Sequence, residues 1–160
     1  SDGIVCYMEA GAHASFISFF LEGELRLVRK FDHGSVYIQQ RIQDVLNINE
    51  DDALTVLFED ATPLLDHSLD PIGTLLQEIY LSCKLVERNE NAAIQRVYAS
   101  GGLSYSPYWT FMISEIMNTG VEVWNPFTAN DMKNVPKGVQ GVESMFTPAV
   151  GAALAVLRNE

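Results

Sequence analysis

Residues 3–31 read GIVCYMEAGAHASFISFFLEGELRLVRKF, and the order of apolar runs in this stretch decides the fold class. Gly3 to Ala10 is short and rich in β-formers, and Ala14 to Leu21 is a second apolar run. Glu22-Gly23 breaks it, and Glu24 to Phe31 then alternates, with Leu25, Leu27 and Arg29 expected on one face. Two such runs joined by a tight glycine-containing turn form a hairpin. Three consecutive strands therefore open the chain, the first ending in Glu9-Ala10-Gly11.

Downstream the period changes from two to helical. Ser35 is positioned to cap a helix reaching Leu46, with Val36, Ile38, Ile42, Val45 and Leu46 as its apolar positions. Asn49 is the expected cap of a second helix, whose first turn holds Glu50, Asp51 and Asp52, where negative charge suits the helix dipole. Asp70-Pro71 is expected to open the longest helix, since Asp is a good cap and Pro suits the first helical position. Ile94 to Ala99 reads as a strand, Ser100-Gly101-Gly102 as a turn and Ser106-Pro107 as a helix start. Val121 to Trp124 is a short strand, Asn125 to Phe146 is mostly loop, and Thr147-Pro148 starts a last helix rich in small residues. The implied architecture is α/β, a mixed five-stranded sheet in βββαβαβα order with a two-helix insertion. It forms one domain over residues 1–160, with residues 47–91 as a helical sub-lobe.

At 160 residues and 48% hydrophobic content, the chain suits one domain with a proper core. Mean hydropathy is +0.06, and the longest apolar runs, near Phe16–Leu21 and Ala149–Leu157, fall short of the roughly 18 residues of a membrane span. Ser1-Asp2-Gly3 lacks a basic signal-peptide region and reads as a linker end. The net charge of -11 argues against nucleic acid and against an anionic membrane face, because both would repel it. Asp44, Glu50, Asp51, Asp52, Glu59, Asp60, Asp66 and Asp70 stand in one stretch without Lys or Arg. That stretch is either solvated helix surface or a docking face for a basic partner. Cys6 and Cys83 sit among apolar residues and read as buried thiols in a reducing compartment. His13, His33 and His67 are scattered, and no structural metal is expected. Neither a phosphate-loop G-x-x-x-x-G-K-[ST] nor a G-x-S-x-G nucleophile motif occurs.

The glycines point to a ligand edge. Gly11 follows the first strand and Gly101-Gly102 the fourth, where loops leave the strand ends of an open α/β sheet. Backbone N–H groups there can come close to a phosphate or nucleoside. Glu9-Ala10-Gly11, the Glu22-Gly23-Glu24 hairpin tip, and Arg29 and Gly34 before a helix together resemble the opening of the second domain of actin-like ATPases. Tyr98-Ala99-Ser100-Gly101-Gly102 resembles that superfamily's adenosine motif. Gly120-Val121-Glu122-Val123-Trp124-Asn125-Pro126-Phe127 is similar to a segment of the PilM family of type IV pilus assembly proteins. The closing helix, Thr147 to Arg158, is similar to that family's last helix.

The resemblance covers the whole chain and implies a ribonuclease H-like sheet, one of two domains that close around ATP and Mg2+. It implies a nucleotide edge made by Glu9, Ala10, Gly11, Ala12, Gly101, Gly102 and Leu103, with Glu9 reaching a metal through water. It further implies a cytoplasmic scaffold, peripheral at the inner membrane, whose partner is the cytoplasmic tail of an inner-membrane pilus assembly protein. The family pattern has Asp-x-Gly where this chain has Glu9-Ala10-Gly11, and Leu103-Ser104-Tyr105 is bulkier than the usual loop. One added methylene on the carboxylate spoils metal–water geometry, so a weakened or lost nucleotide site without catalysis is expected. Tyr105 is read either as packing on the next helix or as stacking on a base, and His13 beside Gly11 is a further titratable group there. Two other readings stay open: half of an active actin-like ATPase or sugar-kinase-like enzyme, and an unrelated α/β interaction domain.

Overall fold

A computed structural model describes residues 3–64, 70–129, 132–133 and 135–157. Asp66, His67 and Arg158, singled out above, lie outside the described residues, as do Ser1 and Asp2. Strands β1 (Ile4–Ala10), β2 (Ser15–Leu21) and β3 (Glu24–Phe31) are followed by α1 (Ser35–Leu46), α2 (Glu50–Phe58) and α3 (Gly73–Glu90). Strand β4 (Ile94–Gly101), α4 (Pro107–Met117), β5 (Val121–Val123), the single-turn α5 (Pro126–Ala129) and α6 (Thr147–Leu157) complete the order. The sheet runs β3-β2-β1-β4-β5. Strands β1, β2 and β3 pair antiparallel, and β4 and β5 pair parallel to β1. This is the strand order expected of an actin-like half.

The β2–β3 turn needs left-handed backbone at both central positions, and Glu22 (φ 54) and Gly23 (φ 79) supply it. One expectation for β3 fails. Phe19 faces Leu27 but Phe20 faces Leu25, so a bulge at the intervening Arg26 puts the two leucines on opposite faces. β3 is an edge strand, and Leu25, at 54%, is among its exposed residues. Charged side chains at Glu24, Arg26, Arg29 and Lys30 discourage edge pairing with another chain.

The core sits on one face of the sheet. Ile4, Cys6, Met8 and Ala10 of β1 and Ile17 and Phe19 of β2 point there, against Ile38 and Ile42 of α1, Ile79 and Cys83 of α3 and Trp109 and Ile113 of α4. Among the described residues of 47–91 lie α2, a 3-10 turn at Thr62–Leu64 and α3, and Ala53, Leu57, Leu75 and Val86 belong to the same cluster as the sheet. The opposite face carries an aromatic layer. Tyr7 stacks on Tyr98 with centroids 5.2 Å apart, and Phe20 and Trp124 meet Tyr7 edge-on at 5.6 and 5.4 Å.

Helix starts follow side-chain capping only in part. The Asn49 side chain accepts from the Asp52 N–H at 2.9 Å, and Ser106 accepts from the Trp109 N–H at 3.1 Å, both as expected. Ser35 is not a cap: it is the first residue of α1, after Gly34. Asp70-Pro71 is a turn, and α3 begins at Gly73 with no side-chain cap. Among the described residues no helix is long and apolar enough to cross a membrane.

Candidate functional site

The two glycine turns meet. In the parallel β1–β4 register Glu9 lies opposite Ser100 and Ala10 opposite Gly101, so the chain leaves both strands side by side. Gly101 has φ 81 and ψ -179, a region only glycine enters freely, and a Cβ on it would collide with the Ala10 carbonyl oxygen. At this backbone conformation the chain can turn out of β4 past the Ala10 carbonyl only because Gly101 lacks a side chain. Gly102 begins the 3-10 turn Gly102–Tyr105, and nothing lies within 4 Å of where its Cβ would be, so a side chain there would meet open space.

The loop after β1 is tied to α1. The Gly11 N–H donates to the Ala14 carbonyl at 3.0 Å, and the Gly11 and Ala12 carbonyls accept from the Ser35 and Val36 N–H groups at 2.9 and 3.0 Å. Gly34 makes this seat possible, since a Cβ there would strike the Gly11 carbonyl oxygen. The Ser15 hydroxyl donates to the His33 carbonyl at 2.8 Å, and the His33 ring lies 4.1 Å from that of Tyr37. Two first-turn donors of α1, which could otherwise have faced an anion, are therefore satisfied within the chain. Among the described residues the Ala12 and His13 amides have no backbone acceptor.

The nominated residues divide accordingly. The Glu9 side chain is half-buried and makes no hydrogen bond or ion pair among the described residues, and burial pushes its carboxyl above the usual range. Ala10 is buried in the sheet and Leu103 in the core, so only their backbones can face a ligand. Gly11, Ala12, Gly101 and Gly102 line the strand ends. Together the seven offer backbone groups and one carboxylate, with no cationic side chain. Among the described residues no three His, Cys, Asp or Glu side chains converge as a metal site. Chemically, such a set can offer backbone donors to a phosphate or ribose and one carboxylate to a hydrated cation.

A second tie was not visible in the sequence. The Ser104 hydroxyl donates to the Gly101 carbonyl at 2.7 Å and lies 3.2 Å from the Ser144 hydroxyl, which in turn reaches the Ala99 carbonyl at 3.4 Å. The Tyr105 hydroxyl accepts the Ser144 N–H at 3.0 Å. Tyr105 thus fastens the turn Glu143–Phe146 to the end of β4. The partners stand about forty residues apart, and no local spacing signals them.

No protein-family model and no curated protein sequence matches the chain. Solved structures do. A chain of the PilM-PilN type IV pilus biogenesis complex superposes with a TM-score of 0.72 at 18% identity, over 96% of this chain and 46% of that one. The archaeal actin homolog Ta0583 gives 0.59 at 14%, over 99% and 49%. MreB 5 of Spiroplasma citri, solved bound to AMPPNP, gives 0.59 at 12%, over 98% and 54%. The chain spans about half the length of the structures it matches. At such identities the likeness speaks to fold. By strand order, by the meeting of Ala10 with Gly101 and by superposition, the chain is an actin-like ATPase-fold domain that resembles PilM.

Proposed function

We propose that the chain is one half of a two-domain actin-like protein that works as a PilM-like scaffold, binding protein partners rather than turning over nucleotide. The observation that carries this is the donor set at the strand ends. It is backbone plus Glu9, two α1 amides are already taken up by Gly11 and Ala12, and none of the seven nominated residues supplies a cation. Phosphoryl transfer depends on positioned cations as well as dipoles around the transferred group, and these seven residues supply no cation. ATP with Mg2+ is a weak ligand in this reading. The Ala12, His13 and Gly102 amides would face it, Glu9 would hold a metal-bound water, and the opposite wall would come from the other domain. The proposed setting is the cytoplasmic side of an inner membrane, with the cytoplasmic tail of a pilus assembly protein as partner.

The test uses the complete parent protein. Its thermal midpoint is measured with and without millimolar MgATP, and its co-purifying membrane proteins are identified. The expected results are a negligible shift and recovery of a pilus assembly protein. Ligand at a hundredfold its Kd would stabilise by about 2.7 kcal/mol, so a shift of several degrees would sink the lost-site reading and favour an active ATPase half.

A further inference from the structure

The outer helical layer holds a groove that the strand-end site does not use. One stripe of α3 (Gly73, Leu76, Gln77, Tyr80) and one of α4 (Tyr108, Phe111, Met112, Glu115, Ile116), with Leu64 and Asp70 at one end, flank a space of about 820 Å3. Both sets follow the i, i+3, i+4, i+7 spacing of a helix face. The floor is apolar and buried: Leu76 and Tyr108 are 6% and 3% exposed. The rims are apolar but open, with Phe111 50% and Tyr80 38% exposed. Partly exposed aromatic rings over an apolar floor are the kind of feature on which a partner's side chains can anchor.

Polar chemistry at the groove has one sign. Asp70 and Glu115 line it, and among the described residues no Lys or Arg does. Lys84, one turn beyond Tyr80, lies 5.6 Å from that ring but is held by Glu87 at 2.8 Å. The Tyr108 hydroxyl makes no hydrogen bond among the described residues, although its ring is buried. Burial, with the Asp70 carboxylate nearby, holds its phenol up at about 12, so at neutral pH it is a protonated donor and acceptor without a partner. A phenol hydroxyl at the groove surface beside a carboxylate with no ion pair among the described residues suits an incoming cationic donor. The whole chain, at -11, would draw such a group in.

We propose that the α3–α4 groove docks an amphipathic segment of a protein partner, seating apolar side chains between Tyr80 and Phe111 and a Lys or Arg against Asp70. This deepens the scaffold reading by naming a contact surface and the chemistry it accepts. The mode is a helix laid in a groove, with apolar anchors a turn apart.

The test is selection of phage-displayed random peptides on the 160-residue chain, followed by titration of synthetic, fluorescein-labelled copies of the enriched sequences. The expected peptides carry apolar residues at i and i+4 with a nearby Lys or Arg, and their amide chemical-shift footprint falls on α3 and α4. Phe111→Asp, a change at an exposed ring, should weaken them about tenfold. Asp70→Asn should weaken them less and flatten the salt dependence. Val28→Asp, on β3, should change nothing. Absence of enriched peptides, or peptides indifferent to Phe111→Asp, or a footprint on the sheet, would overturn the inference. The assay needs neither nucleotide nor pilus proteins, so its failure would leave the reading tested above standing. Loss of that reading would leave the groove's peptide binding intact.

Discussion

At the scale of single residues, two glycines one position apart have opposite duties. Gly101→Ala must place a Cβ where the Ala10 carbonyl stands, in a backbone region closed to alanine. Strain of this kind costs about 1–3 kcal/mol, and urea unfolding should show at least that loss. Gly102→Ala meets open space with no left-handed constraint, so its midpoint should stay within about 0.5 kcal/mol of native. Equal losses would contradict the close approach of β1 and β4. Glu9 makes the complementary case. Burial raises its carboxyl, so the folded chain holds this proton more tightly than the unfolded chain does. At neutral pH the ionised group therefore weighs against folding, and Glu9→Gln should raise the urea midpoint at pH 7. The gain should shrink as pH falls and vanish below about pH 4, where the carboxyl is protonated in both states. A gain that persists in acid would mean that packing, not charge, is responsible. A carboxylate kept at a cost to stability is what a ligand-facing position would show.

At the scale of elements, Ser106 joins two helices that are far apart in sequence. Its hydroxyl donates to the Leu57 carbonyl in α2 at 2.6 Å and accepts the first-turn Trp109 N–H of α4 at 3.1 Å, in full burial. Ser106→Ala removes a cap and strands a buried carbonyl, and the expected loss is about 2 kcal/mol by chemical denaturation. A loss under about 0.5 kcal/mol would mean that α2 is not anchored through this residue. The cap itself was readable from Ser106-Pro107, but the long-range half of its role was not, because Leu57 lies 49 residues away. The same division runs through the molecule. Asn49 announced α2 because capping is local. Asp70-Pro71 misled on α3 because that pair is equally good as a turn, and the helix starts at Gly73. The leucine alternation in β3 failed because the bulge at Arg26 answers to the β2 register rather than to any local preference. At the candidate site, the meeting of Gly11 and Gly101 loops was legible as an ordered pair of strand-end glycines. The Ser104–Ser144–Tyr105 tie was not, since isolated hydroxyls carry no period.

At the scale of the whole molecule, the last helix is out of balance with the rest. A helix apolar on every side belongs inside a larger core. Between Thr147 and Leu157 there is no charged residue, yet among the buried residues of α6 only Val150 is found. Val156 and Leu157 are 63% and 66% exposed, and Met145, just before the helix, is 53% exposed. The small side chains Gly151, Ala152 and Ala155 leave room for another backbone to come close. In the two-domain reading proposed above, the other domain would cover such a surface. The 160-residue chain by itself should then associate with concentration in sedimentation equilibrium. Met145→Glu combined with Val156→Glu should suppress that association while leaving the thermal midpoint nearly unchanged, because neither side chain packs deeply in the monomer. A native chain that stays monomeric at every concentration would show that α6 tolerates water. A double variant that loses stability as well as association would place the helix in the fold rather than at an interface. Between those outcomes lies the physical reason for expecting a partner: burying about 25 cal/mol per Å2 of apolar surface is the largest favourable term that α6 has not yet used.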